Sequence, residues 1–190
     1  MDVILINGSP REKQCTYTAL MEIAKALNED GINTQIIHLG SAEKCNDNLF
    51  VSNVARLVEN SDGLIVGTPV YYSAATGMLS MFMTNLISRC DKLKLALKPA
   101  ATIASARRAG SISAIDQINK FFMYAQMPIV SSNYWPMVYG LKASDVEKDL
   151  EGLQIMRTLG HNMAWMIKSF AIAKVDKPVV EKLIRTNFID

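Results

Sequence analysis

Two rhythms of apolar residues run along the chain: short stretches apolar at every position, and longer ones apolar at every third or fourth. Val3, Ile4, Leu5 and Ile6 form the first short run, apolar on both faces as in a buried parallel strand. Tyr17, Leu20, Met21, Ala24 and Leu27 then recur at helical spacing, and Glu29-Asp30-Gly31 closes that helix. Thr34 to His38 reads as a second strand and Leu39 to Asn48 as a polar loop. Leu49 to Asn60 is helical, with Val51, Val54, Ala55 and Val58 on one side, and the glycine-bounded run Gly63 to Gly67 is a third strand. Ala75 to Cys90 reads as a helix buried all round, with Met78, Phe82 and Leu86 as one stripe. Ala100 to Ala104 is a fourth strand, Ile112 to Met127 a helix capped by Ser111 or Ser113, and Pro128 to Ser131 a short fifth strand. An aromatic-rich loop, Asn133 to Gly140, follows. From Ser144 an acidic first turn announces a helix whose seam is Leu153, Met156, Gly160, Met163, Ile167 and Phe170, and a short helical piece is expected after Pro178.

Strands alternating with helices predict an α/β fold, a doubly wound five-stranded parallel sheet of order 2-1-3-4-5. Residues 1–190 read as a single domain, with about 144–190 as a C-terminal helical extension. The connections after the first, third and fourth strands would share one rim of such a sheet, where open α/β sheets bind their ligands.

Composition narrows the partners. The chain has 49% hydrophobic and 20% charged residues and a formal net charge of +2, with Lys and Arg scattered, so nucleic-acid binding gains no support. No apolar run reaches the roughly 18 residues of a membrane span. Cys15, Cys45 and Cys90 lie far apart, which supports neither a disulfide framework nor a metal site, and a reducing cytoplasm is the expected location. Cys45 reads as structural or merely exposed. His38 sits at a strand end and His161 in the last helix, with no acid or nucleophile nearby in sequence, so a hydrolytic triad is not expected.

Chemistry concentrates in three connections. Gly8-Ser9-Pro10-Arg11 leads from the first strand into a helix whose N-terminal amides, Gln14 to Tyr17, are suited to an anion, with Arg11 and the hydroxyls of Ser9, Thr16 and Thr18 around them. Neither G-x-x-x-x-G-K-[ST] nor G-x-G-x-x-G is present, which leaves a terminal monophosphate as the fitting group; an ordinary βα turn with Ser9 and Thr16 as caps is the plainer reading. Thr68 to Gly77 carries Pro69, Val70, Tyr71 and Tyr72: either the tyrosines frame a flat ring, with the amides of Val70 to Ser73 at its polar edge, or they pack on the next helix or a partner subunit. Arg107 and Arg108 offset negative charge on a reduced ligand, hold the phosphates of a nucleotide, or are solvated surface residues.

The segments INGSPR followed by CT, GTPVYYSAATGMLSMFMTNL and SARRAGS together resemble the NADPH-dependent FMN reductase family of flavodoxin-like proteins, over about Met1 to Gly140. The resemblance implies a flavodoxin-like fold, FMN as cofactor and NAD(P)H as co-substrate. It places the FMN phosphate on Ser9, Arg11, Gln14, Cys15 and Thr16, the isoalloxazine against Pro69, Val70, Tyr71 and Tyr72, and the third loop on Ser105, Arg107, Arg108 and Gly110. Related iron-sulfur flavoproteins carry a compact cysteine cluster after the second strand, where only Cys45 stands here, so the resemblance implies flavin without a cluster. The expected activity is hydride transfer from a nicotinamide to FMN and on to a quinone, flavin or similar small acceptor, by a homodimer or homotetramer with no catalytic acid or base. The rivals are a flavodoxin-type electron carrier, which the slight positive charge disfavours, and a flavin-free interaction module.

Overall fold

The computed structural model describes residues 1–173, 175–179, 181, 182, 184 and 186. Its sheet has five parallel strands, β1 (Asp2–Asn7), β2 (Asn33–His38), β3 (Gly63–Pro69), β4 (Ala100–Ala106) and β5 (Met137–Tyr139), in the order β2-β1-β3-β4-β5. This is the flavodoxin-like order expected from the sequence. The interior strands β3 and β4 are buried along nearly their whole length, which is why their sequences run unbroken in small and apolar residues.

Alternate strand residues feed two cores. Ile4, Ile6, Leu64, Val66 and Ala100 face helices α3 (Asn48–Asn60), α4 (Gly77–Arg89) and α6 (Ser111–Tyr124), where Phe82 and Phe122 are fully buried. Val3, Leu5, Ile65, Ala101 and Ile103 face α1 (Cys15–Glu29) and α8 (Leu150–Ile172). Each fully buried phenylalanine contributes roughly 1.5–3 kcal/mol by leaving water. Of the seam residues on α8, Met156, Gly160, Met163 and Ile167 are buried against α1 and the sheet, whereas Phe170 is half exposed. His161 is also exposed and meets Asp30 beyond the end of α1, Nδ1 to Oδ2 at 2.7 Å. No helix among the described residues is long and apolar enough to cross a membrane.

The structure corrects several sequence expectations. The loop after β2 holds a short helix, α2 (Ala42–Asn46), capped by Ser41, whose side chain accepts from the Lys44 amide; its Cys45 is fully buried, the structural one of its two readings. A second short helix, α5 (Lys92–Leu95), is capped by Asp91. Pro128 to Ser131 is no full strand: Ile129 makes an isolated bridge to Ala100 at the base of β4, then the chain bulges out and pairs again as β5. Ala104 at the top of β4 donates to Pro136 O, so the edge of one strand is covered in two instalments. The last helical region divides into α7 (Ala143–Val146) and α8, because Asp149 caps the Gly152 amide through Oδ1 and takes the Tyr139 amide on Oδ2. The helical piece expected after Pro178 falls on a stretch in which 180, 183, 185 and 187–190 lie outside the described residues.

Candidate anion and ring site at the sheet rim

The register brings the carboxyl ends of β1, β3 and β4 together: Asn7 pairs with Gly67, and Pro69 with Ser105. The first loop leaves β1 through Gly8, whose amide donates to Gly67 O at 2.8 Å. A Cβ on Gly8 would stand 2.8 Å from both Gly67 O and Leu79 Cδ2, so no larger residue fits this exit.

Around that exit the loop turns its acceptors outward. Asn7 O accepts from Leu39 N at 3.1 Å, Gly8 O from Thr76 Oγ1 at 3.0 Å, Ser9 O from His38 Nε2 at 2.8 Å, and Glu12 O from Asn7 Nδ2 at 2.8 Å. Meanwhile the amides of Cys15, Thr16 and Tyr17 at the start of α1 have no protein acceptor among the described residues, and Gln14 at the N-cap position makes no side-chain cap. Four carbonyl dipoles are thus fixed away from the helix end, and the free N–H groups carry its positive pole.

The candidate side chains divide between this site and its scaffold. Ser9 is buried; its Oγ accepts from the Arg11 amide at 3.1 Å and keeps its proton to donate. Thr16 Oγ1 and Ser105 Oγ lie 2.8 Å apart, both buried, which joins the first and third segments at their base. Cys15 turns Sγ toward Gly140 O at 3.4 Å, and burial raises its thiol pKa, so it is a neutral packing group. Arg11 is exposed. Thr18, expected near the anion, instead donates back to Gln14 O.

In the second loop the expectation that all amides from Val70 to Ser73 are free is half right. Val70 N donates to Ser105 O, and Tyr71 exchanges both backbone hydrogen bonds with Ala74. The two-residue turn between them is Tyr72 (φ 53°) and Ser73 (φ 58°). Hairpin turns with two left-handed residues normally use Asn and Gly, so a tyrosine and a serine here store about 1–3 kcal/mol each. Tyr72 stands fully exposed at the tip, packed against nothing among the described residues, and Tyr71 is partly exposed. Ala75 N donates to Gln117 Oε1, and Gln117 Nε2 to Ser80 Oγ, which ties the loop to α6 and α4.

The third loop closes against the second. Gly110, with φ 101°, is the N-cap of α6 in place of the expected serines, and a Cβ there would stand 2.8 Å from Ser73 Cα. Ser111 becomes the first helical residue, and its Oγ is buried with no partner among the described residues. Arg107 and Arg108 are exposed on the same loop.

All thirteen candidate residues therefore belong to one rim or to the elements directly beneath it. The sequence reading missed Asn7, His38, Thr76 and Ser111. Asn7 carried a signal, a polar residue ending a wholly apolar strand; His38 acts only through a partner 29 positions away. Grooves of about 910 Å³ along α1 and β2 and about 690 Å³ between α4 and α6 lie away from these three loops.

A parallel sheet of this order, with a bare helix end after its first strand and two further loops converging on it, defines a flavodoxin-like protein whose candidate site lies at this rim. The sequence model of the NADPH-dependent FMN reductases matches residues 1–141, and the chain belongs to that family of flavin-dependent oxidoreductases. An iron-sulfur flavoprotein of Methanocaldococcus jannaschii is 29% identical over 88% of this chain and 98% of its own length. Among solved structures, RosB with a bound 8-demethyl-8-formylriboflavin-5'-phosphate intermediate aligns at a TM-score of 0.76 and 12% identity, over 99% of this chain and 92% of RosB. The NAD(P)H:acceptor oxidoreductase FerB of Paracoccus denitrificans aligns at 0.66 and 17% identity, over 88% of this chain and 97% of FerB. At these identities the structural likenesses show the shared fold.

Proposed function

We propose that the protein is an FMN-dependent NAD(P)H oxidoreductase that passes electrons from a reduced nicotinamide to a quinone, a flavin or a similar small acceptor. The observation that carries this reading is the polarity of the first loop: four tied carbonyls and three free amides at the start of α1. That donor set fits a phosphomonoester, and FMN is the flavin whose tail ends in one.

The amides of Cys15, Thr16 and Tyr17 hold the phosphate, with the Ser9 hydroxyl and the Arg11 guanidinium as further donors. Tyr72 and Ser73, whose amides are not used within the hairpin, offer donors to the polar edge of the ring, and the orphaned Ser111 hydroxyl marks the other side of the same contact with loop three. Arg107 and Arg108 bring positive charge to the rim where negative charge develops on reduction. The chemistry that bound FMN would supply there is hydride acceptance and onward electron transfer. The chain's own part is orientation, so no side chain needs to act as acid or base.

The cluster named in the archaeal relative does not fit these residues. Iron-sulfur clusters take about four thiolates from neighbouring cysteines. This chain has three cysteines. All are buried at separate places, and burial pushes Cys45 and Cys90 up to about 11. Exposed Met123 and Tyr124 on α6, with Tyr134 and Trp135 before β5, support self-association into a homodimer or homotetramer.

Anaerobic mixing of the FMN-loaded protein with NADH and with NADPH tests the activity. Bleaching of the flavin band with at least one of them is expected. Retained FMN that neither nicotinamide bleaches would favour a one-electron carrier, and failure to retain FMN would leave a flavin-free module.

A further inference from the structure

The peptide unit between Ser9 and Pro10 differs from the rest of the first loop. Pro10 has no N–H, so this unit offers an oxygen and no donor. It lies in the loop that exposes amides to an anion, and rotation of its carbonyl toward those amides would put a negative dipole end where the phosphate charge belongs. What holds that oxygen back is His38, whose Nε2 lies 2.8 Å from Ser9 O. A carbonyl only accepts, so Nε2 carries the proton.

The surroundings keep the imidazole in that position. His38 ends β2 directly beside Asn7 in the strand register. Its own carbonyl accepts from Lys44 Nζ at 2.8 Å, and Gly40 turns the chain with φ 76° so that a Cβ placed on it would lie 3.6 Å from ring atom Cε1. The segment after β2, with α2, thereby serves as a brace for the first loop.

Resting on the FMN reading above, we infer that His38 is a positioning residue that sets how strongly the first loop holds the phosphate, and so how far it prefers FMN to unphosphorylated riboflavin. A histidine that merely stabilised the strand end would affect both flavins alike. Dissociation constants for FMN and riboflavin, read from flavin fluorescence on titration with the full chain, separate the two roles. His38→Ala removes the donor and lowers FMN affinity about tenfold, the worth of one hydrogen bond to the loop, while riboflavin affinity stays within about twofold. His38→Gln, whose terminal amide reaches as far as Nε2, retains FMN affinity within about threefold, whereas the shorter His38→Asn behaves like alanine. The glutamine and asparagine pair decides the matter even if the alanine variant does not fold. Equal loss of both flavins, or no loss of either, would overturn the inference. If the unaltered protein itself does not distinguish FMN from riboflavin, the FMN reading falls; discrimination that is present and unchanged in the His38 variants sinks this inference alone.

Discussion

Two helix ends at opposite poles of the sheet are treated in opposite ways. At the rim, the N-terminus of α1 is left bare: no side chain among the described residues caps it, and the nearby carbonyls are tied elsewhere. At the other pole, the C-terminus of α3 is closed by the chain itself, because the buried Lys98 ammonium donates to Val58 O and, at 3.1 Å, to Glu59 O. Both ends present the partial charge of a helix dipole. The chain pairs one with its own cation and, among the described residues, leaves the other unpaired, which marks the first as a structural join and the second as the candidate site.

The largest effect that would break this contrast comes from Gly8. Gly8→Val drives a side chain into Gly67 O and Leu79, so the account predicts a loss of about 1–3 kcal/mol in urea unfolding together with loss of measurable FMN retention. A variant that stays fully stable and binds FMN normally would show that the exit geometry is not needed.

Lys98 sharpens the comparison from the closed pole. Burial pushes its pKa from 10.5 down to about 8. Between these two values the unfolded chain holds the proton that the folded chain has released, so stability rises with pH across that window; below about pH 8 both states are protonated and the gain is absent. The Lys98 contribution is about 1–3 kcal/mol, and Lys98→Met should remove that part of the slope in unfolding measured at several pH values. FMN affinity should not change.

How much of this contrast was legible beforehand follows from where the signals lie. The strands, the first loop and the glycine exit are written locally, in apolar runs, in Gly8 and in the hydroxyls and Arg11 that follow it, and the sheet order follows from strands alternating with helices. α2 was hidden because Leu39 to Asn48 is mostly polar, with Leu39, Ala42 and Cys45 too few to show a helical period, and its start depends on Ser41 acting as a cap while Asp47 caps the next helix. β5 was misplaced because Ala100 and Ala104 on the same strand take different partners, and nothing in Pro128 to Tyr139 records which stretch bulges. His38 and Thr76 were missed for the same reason: each touches the first loop only after the sheet has formed.

A stability effect of similar size, without the steric clash at the exit, is expected at the join between loops one and three. Thr16→Val leaves the buried Ser105 hydroxyl without its partner and should cost about 1–3 kcal/mol in thermal or urea unfolding, whereas Thr16→Val with Ser105→Ala should recover most of it. Additive losses would mean that the two hydroxyls are not coupled. The smallest stability effect belongs to the exposed arginines. Replacing Arg107 and Arg108 by serine should change stability by no more than about 0.5 kcal/mol while slowing flavin reduction by nicotinamide in stopped flow. An unchanged reduction rate would return both to the solvated surface.

The central claim is that the bare end of α1 grips the phosphate of a flavin in its fully charged form. The phosphorus resonance of protein-bound FMN, followed by NMR as pH is varied, tests it most directly. A free phosphomonoester takes up a proton near about pH 6, and donation from three backbone amides favours the dianion and moves that uptake to lower pH. The account predicts a bound resonance that stays constant from about pH 8 down to about pH 5. A resonance that titrates as free FMN does, in protein that still holds the flavin, would contradict it.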